Sequence, residues 1–207
     1  MDNLAPETYK SSHSERNRIG ARIGPRSSGP PSMPSLKGVE ALTEYATKLG
    51  SMEDYEKGIL EIIDDDPKRY TYSNMFEVAS MSRPYEKVGV AKNMEYVLEV
   101  LRAEGTSEWR AAPHDEFALV MDGVVEVRLV KPDEELVPSD KPGSIGLPEE
   151  PAGKQMGTIR AGKGHMALLP AGSAYQFHCD GVGVILMQTV EGDDTVYKWA
   201  EICRTVP

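Results

Sequence analysis

Long apolar runs are missing from this sequence, and so are cysteines in any number and a surplus of positive charge. No stretch approaches the roughly 20 apolar residues that a membrane span needs. The opening MDNLAPETYKSSHSERNR has no apolar core that would serve as a secretory signal. There are two cysteines, Cys179 and Cys203, so the chain is no disulfide scaffold; neither stands in a CxxC or other metal spacing, and both read as reduced thiols of a cytoplasmic protein. A formal net charge of −10 argues against nucleic acid as a partner. Also absent are a Gly-x-Ser-x-Gly elbow, a P-loop and a dinucleotide fingerprint, and no serine or threonine sits in a recognisable triad setting. Membrane spans, disulfide minidomains and zinc ribbons are thereby excluded.

What remains is a chain of 207 residues and 22.7 kDa, enough for one domain with extensions. Residues 1–37 hold six basic groups against three acidic ones and five of the fifteen prolines, with few large apolar side chains. Such a segment buries too little surface to offset its own ordering entropy and reads as a basic N-terminal arm. Residues 38–69 read as a helical extension. Val39, Leu42, Tyr45, Ala46 and Leu49 recur at helical spacing before Gly50, and Met52, Tyr55, Ile59, Leu60 and Ile63 do so again before Asp64–Asp66 and Pro67. Ser51 with Asp54 three residues later is a capping-box pattern for the second helix.

From residue 70 the period changes to that of strands. Segments 94–101, 117–121, 124–130 and 183–190 alternate or run apolar over strand lengths. Asp122-Gly123 between the second and third is the strongest short hairpin signal available. Residues 131–155, with five prolines and six acids, read as a long exposed loop between two hairpins. Residues 193–203 place Val196, Trp199, Ala200 and Cys203 on one helical face. The expected fold is mainly β, a sandwich or barrel with N-terminal helices and a short C-terminal helix, its domain spanning 70–207.

Two stretches carry a resemblance. Glu116-Phe-Ala-Leu-Val-Met-Asp-Gly123 is similar to the ending of the first motif of the cupin superfamily, and Gly162-Lys-Gly-His-Met-Ala-Leu-Leu-Pro-Ala-Gly172 to the second. The resemblance covers about residues 90–190 and implies a double-stranded β-helix, the cupin jelly-roll barrel. A cupin usually binds iron, manganese or zinc through two histidines and a glutamate of the first motif and one histidine of the second, a donor set suited to such cations. Aligned on Glu116 and Gly123, the two first-motif histidine positions fall on Arg110 and Ala112; the second-motif histidine, three residues after Pro170-Ala-Gly172, falls on Tyr175, and Glu116 alone is retained. His114, two residues before Glu116, shares its strand face. His178, three after Tyr175, points the other way unless a bulge intervenes. One histidine and one glutamate make a poor site where three protein ligands are usual. Arg110, His114, Glu116 and Tyr175 are therefore candidates for pocket-lining or substrate-binding residues, with Arg110 available as an ion-pair partner for Glu116. His165 is expected to be exposed in a turn, and His13 lies in the arm.

More narrowly, Tyr72-Ser-Asn-Met-Phe-Glu-Val-Ala79, Ala112-Pro-His-Asp-Glu-Phe117 and Lys198-Trp-Ala-Glu-Ile-Cys203 resemble the small subunit of two-subunit hydroquinone 1,2-dioxygenases. That resemblance implies a cytoplasmic accessory subunit with no cofactor of its own. A larger cupin-containing partner would carry Fe(II), and the pair would open the ring of hydroquinone, a phenolic substrate, to a semialdehyde in aromatic degradation. It implies no nucleic-acid or membrane partner. The basic arm makes this chain longer than the resemblance implies. Two other readings stay open: a stand-alone cupin enzyme with a non-standard metal site around His114 and Glu116, and a metal-free cupin that uses Arg110 or Tyr175 to hold a phenol or carboxylate.

Overall fold

The computed structural model describes residues 50–56, 61, 63–65, 74–198 and 202. They form one short helix, α1 (Met75–Ser80), and nine strands. These are β1 (Val88–Asn93), β2 (Tyr96–Thr106), β3 (Trp109–Ala111), β4 (Glu116–Asp122), β5 (Val124–Pro132), β6 (Ile145–Leu147), β7 (Gly153–Gly162), β8 (Met166–Leu169) and β9 (Ala174–Val190).

The long strand β9 organises the architecture. Its first half pairs with β5 on one side and β3 on the other, and its second half lies between β2 and β4. β1 extends β2, β8 extends β4, β7 extends β5 and β6 extends β3, and every ladder is antiparallel. The result is two layers, β1-β2-β9-β4-β8 and β7-β5-β9-β3-β6, joined through β9 as the curled sheet of a cupin jelly-roll barrel. The register between β2 and β9 shifts at Glu104/Gly105, where β9 passes from one layer to the other.

Strand alternation explains which face turns inward. Ala118 and Val120 of β4, Val125, Val127 and Leu129 of β5, and Phe177, Cys179, Ile185 and Met187 of β9 share one core cluster. Burying each of the valine, leucine, isoleucine, phenylalanine and methionine side chains among them stabilises the barrel by about 1.5–3 kcal/mol. A second cluster lies on the outer face of the first layer, where Val78 and Ala79 of α1 cover Val88, Val90, Val100 and Val184, with Met52 and Ile202 packed alongside.

Several elements depart from the sequence reading. Asp122-Gly123 does not make a hairpin, because β4 and β5 do not pair; each pairs with a different half of β9, and the dipeptide turns the corner between layers. Gly123 has φ +76°, and a Cβ there would come within 2.9 Å of Gly183 Cα, so this corner needs glycine. Residues 131–155 are less of a loop than expected. β5 continues to Pro132, β7 begins at Gly153 and pairs back along it, and β6 lies between them against β3. β7 carries no apolar alternation to reveal it, since it is exposed along most of its length.

The helical extension also differs. The Ser51 hydroxyl accepts the Asp54 N–H at 3.0 Å as a cap would, but residues 51–56 are irregular, with bends at 52–54, and the Met52 N–H goes to Asp122 Oδ2 at 2.9 Å. Helix instead forms at Met75–Ser80, capped by the Asn74 side chain, which accepts from the Phe76 and Glu77 N–H groups. Val196 lies in a β-bridge with Val88 rather than in a helix. The helix expected over 39–49, together with Ile59, Leu60, His13, Trp199, Ala200 and Cys203, falls outside the described residues. Among the described residues no helix is long and apolar enough to cross a membrane.

Candidate functional site

Glu116 opens β4 on the inward parity and is completely buried. On β9, Tyr175 faces it, 1% exposed, and its phenol donates a hydrogen bond to Glu116 Oε2 at 2.7 Å. Farther along β9, the Thr189 hydroxyl donates to Glu116 Oε1 at 2.6 Å. His114 stands in the bend before β4, half buried, with Nε2 3.0 Å from Thr189 Oγ1, and the same nitrogen accepts the Val190 N–H at 3.3 Å. The structure therefore brings His114, Glu116 and Tyr175 together through Thr189. Burial, and then the Glu116 charge, push the Tyr175 phenol well above its ordinary value, so it is held as a proton donor. Its ring packs tilted against Phe177 at 5.3 Å.

This donor set does not fit a cupin iron site. Both Glu116 oxygens already accept hydroxyl hydrogen bonds, Ala112 offers no ligand atom, and Tyr175 would have to release a proton that its surroundings retain. Arg110 brings a guanidinium where imidazole is usual. Among the described residues, no three His, Cys, Asp or Glu side chains are grouped to hold a metal ion.

Arg110 belongs to a different cluster, which corrects the expected pairing with Glu116. It lies opposite Tyr175 in the β3–β9 register, yet its guanidinium pairs with Glu108 and Asp194 and donates to Ser144 Oγ at 3.1 Å. Burial works against its charge, but Tyr175, Asp194 and Glu108 hold it above its ordinary value. Lys87, 3% exposed, reaches the same Ser144 Oγ at 3.0 Å and Asp194 Oδ1 at 3.4 Å. Lys87 Nζ also lies 3.2 Å from Glu99 Oε2, an ion pair without hydrogen-bond alignment, while Thr195 Oγ1 donates to Glu99 Oε1 at 2.6 Å. Burial raises the Glu99 carboxyl against the pull of Lys87 and Thr195. This cluster borders a surface groove of ≈ 290 Å³ whose walls include Lys87, Glu108, Arg110 and Asp194.

The other candidates sort by strand parity. His178 faces outward and is tied to Thr106 Oγ1 at 2.8 Å and Asp180 Oδ1 at 3.0 Å, while its neighbour Cys179 is buried in the core as a free thiol. His165 is exposed in the turn before β8, with Nδ1 3.0 Å from the Gly162 carbonyl. Sequence reasoning missed Thr189, Ser144, Lys87, Glu99 and Asp194. Glu99 had a legible signal: it alternates with Val97 and Leu101, so a carboxylate stands in an inward register. The others follow only from register between strands distant in sequence.

No family model matches the chain, and no curated protein sequence matches it. Solved structures do. The chain is 49% identical to a chain in the crystal structure of hydroquinone 1,2-dioxygenase from Sphingomonas sp. TTNP3 with 4-hydroxybenzoate bound, covering 79% of this chain and 100% of that one at a TM-score of 0.76. It is 48% identical to a chain of hydroquinone 1,2-dioxygenase PnpCD in complex with Cd2+ and 4-hydroxybenzonitrile, covering 79% and 99% at a TM-score of 0.74. In the PnpCD complex with Fe3+ it also matches a chain at 9% identity and a TM-score of 0.51, over 65% of this chain but 37% of that one, a likeness of fold alone.

Proposed function

The chain belongs to the hydroquinone 1,2-dioxygenase family, and from that premise we propose that it is the small, accessory subunit of an Fe(II)-dependent dioxygenase that opens the ring of hydroquinone to a semialdehyde. In this reading a larger partner subunit holds the iron. The observation that carries it is the state of Glu116. The one carboxylate at a cupin ligand position has both oxygens committed to Tyr175 and Thr189, and the neighbouring ligand positions carry Arg110, Ala112 and Tyr175. Two chain lengths among the PnpCD matches support a division of labour, since this chain spans 99% of one and 37% of the other. The phenols held in the similar structures, 4-hydroxybenzoate and 4-hydroxybenzonitrile, support a phenolic substrate. Of the four candidate residues, Arg110, Glu116 and Tyr175 are buried, and half-buried His114 is where a phenolic hydroxyl would first meet the network. A cytoplasmic setting goes with this reading, and the buried Cys179 thiol is free.

The test is co-expression with a larger hydroquinone 1,2-dioxygenase chain from the same host, anaerobic reconstitution with Fe(II), and measurement of iron and of hydroquinone-dependent oxygen uptake. The expected result is activity in the two-chain complex alone, with the isolated chain failing to retain stoichiometric Fe(II), Mn(II) or Zn(II). About one tightly held metal per isolated chain, lost in Glu116→Ala or His114→Ala, would overturn it.

A further inference from the structure

Ser144, just before β6, stands between the two buried clusters. Its Oγ accepts N–H groups from Lys87 Nζ at 3.0 Å, Arg110 Nε at 3.2 Å and Arg110 Nη2 at 3.1 Å. These donors use both lone pairs of the hydroxyl oxygen, and its own buried proton needs an acceptor. The Ser144 side chain is also hydrogen-bonded to the Tyr175 phenol. The single proton of that phenol goes to Glu116 Oε2, so the phenol oxygen accepts and Ser144 donates. One directed chain of hydrogen bonds therefore runs from Lys87 and Arg110 through Ser144 and Tyr175 to Glu116, and none of the five residues is more than 7% exposed. With cations behind it and a carboxylate ahead, each bond polarises the next.

The far side of the same two cations holds the segment Gly192–Lys198. Asp194, its side chain 42% exposed, gives one carboxylate oxygen to Lys87 and the other to Arg110. The backbone is clipped to β1 and the residue before it, where the Val196 N–H donates to the Lys87 carbonyl at 2.9 Å and the Gly89 N–H to the Val196 carbonyl at 2.8 Å. The turn that carries Ser144 lies against this segment, since a Cβ on Gly143 would come within 2.4 Å of Gly192 Cα. Asp194 and Val196 also wall the groove of ≈ 290 Å³ beside Lys87 and Arg110. We propose that Gly192–Lys198 is a strap closed over this groove, and that its latch is set from inside the barrel. Glu116 anchors the Tyr175–Ser144 relay, and Ser144, as the positioning residue, aims Lys87 and Arg110 at Asp194. Breaking the relay loosens both cations, and the strap then opens locally while the barrel stays folded. This latch goes beyond the two-chain reading and stands or falls without it.

Amide hydrogen exchange of the full chain tests it. In the wild type, Gly89 and Val196 should exchange at one common rate that stays constant in dilute urea, the sign of a shared local opening that exposes little surface. Tyr175→Phe and Ser144→Ala should each speed both amides about tenfold, the weight of one hydrogen bond. The double variant should be no faster than the faster single, because one relay is broken only once. Ser107→Ala is the control: its hydroxyl accepts the Phe177 N–H at 2.9 Å on the same strand β9 but stands outside the relay, and it should leave Gly89 and Val196 unchanged. An acceleration of about a hundredfold in the double variant would mean two independent contributions and would overturn the relay. So would unchanged exchange in Tyr175→Phe, or an equal acceleration in Ser107→Ala, which would mark a general loss of stability. Should Ser144→Ala not fold, Tyr175→Phe measured against Ser107→Ala decides. Wild-type exchange of Gly89 and Val196 that follows global unfolding would overturn the strap itself.

Discussion

Glu116 and Glu99 are both without exposed surface, yet the barrel holds them in opposite ways. Glu116 is satisfied by two hydroxyls, Tyr175 and Thr189, inside the core cluster. Glu99 accepts a hydrogen bond from one hydroxyl, Thr195, on one oxygen and is ion-paired on the other with one cation, Lys87, which is in turn shared with Asp194 and, through Ser144, with Arg110. The first arrangement keeps a motif carboxylate in place by short hydrogen bonds. The second ties the segment Gly192–Lys198 to β1, β2 and β3 with charge, assisted by the Val196 bridge to β1 and the Lys198–Glu86 pair. A buried carboxylate can therefore persist on hydroxyls alone or on a cation, and the two modes fail differently. Removing a hydroxyl costs a hydrogen bond, whereas removing the cation leaves an uncompensated charge.

The largest effect should come from the ionic side. Lys87→Met should destabilise the folded chain by about 3–5 kcal/mol in urea unfolding, because it leaves Glu99 buried and unpaired. Adding Glu99→Met should recover most of that loss, as replacing both members of a buried pair by apolar groups is often nearly neutral. A Lys87→Met loss below about 1 kcal/mol, the range of an exposed ion pair, would erase the distinction between the two clusters.

A smaller loss is expected on the hydroxyl side. Tyr175→Phe should cost about 1.5–3 kcal/mol, the contribution of a hydrogen bond to a charged group. The same variant should alter the alkaline limb of stability. Because the phenol is raised in the fold, it keeps its proton where the unfolded chain loses it, so its stabilisation is complete below about pH 10 and is lost as pH rises further. Tyr85 and Tyr197 are raised as well, mainly by burial, so the wild type should lose stability steeply above that pH and Tyr175→Phe less steeply. Identical slopes for the two proteins between pH 9 and 11 would show that the Tyr175 phenol is not raised in the fold.

The smallest effect marks the baseline for both. Arg83 is 83% exposed in its pair with Glu86, so Arg83→Ala should change stability by no more than about 0.5 kcal/mol in thermal unfolding.

Much of the barrel was legible because its strands alternate or run apolar over strand lengths. β2, β4, β5 and the second half of β9 all declared themselves by apolar period, and the opposed faces of His178 and Tyr175 followed from strand parity, whereas His114 lies in the bend before β4 and meets Glu116 through Thr189. What alternation conceals is pairing. Asp122-Gly123 has the local chemistry of a hairpin, but whether two flanking strands pair depends on what lies beside each, and here β9 takes both. β7 was hidden because exposed strands need no apolar period, and α1 because six residues are too few to show one, although Asn74 three before Glu77 marks its start.

The sequence by itself determined the fold class and the absence of a cupin histidine set. Both depend on residue identity at short spacing, where backbone geometry leaves little choice of face. Only the tertiary structure decided what Glu116 and Arg110 do. Thr189 reaches Glu116 across 73 positions, and Asp194 draws Arg110 across 84. Partners so distant in the chain are set by strand register and by the bend of β9, and no local pattern records them.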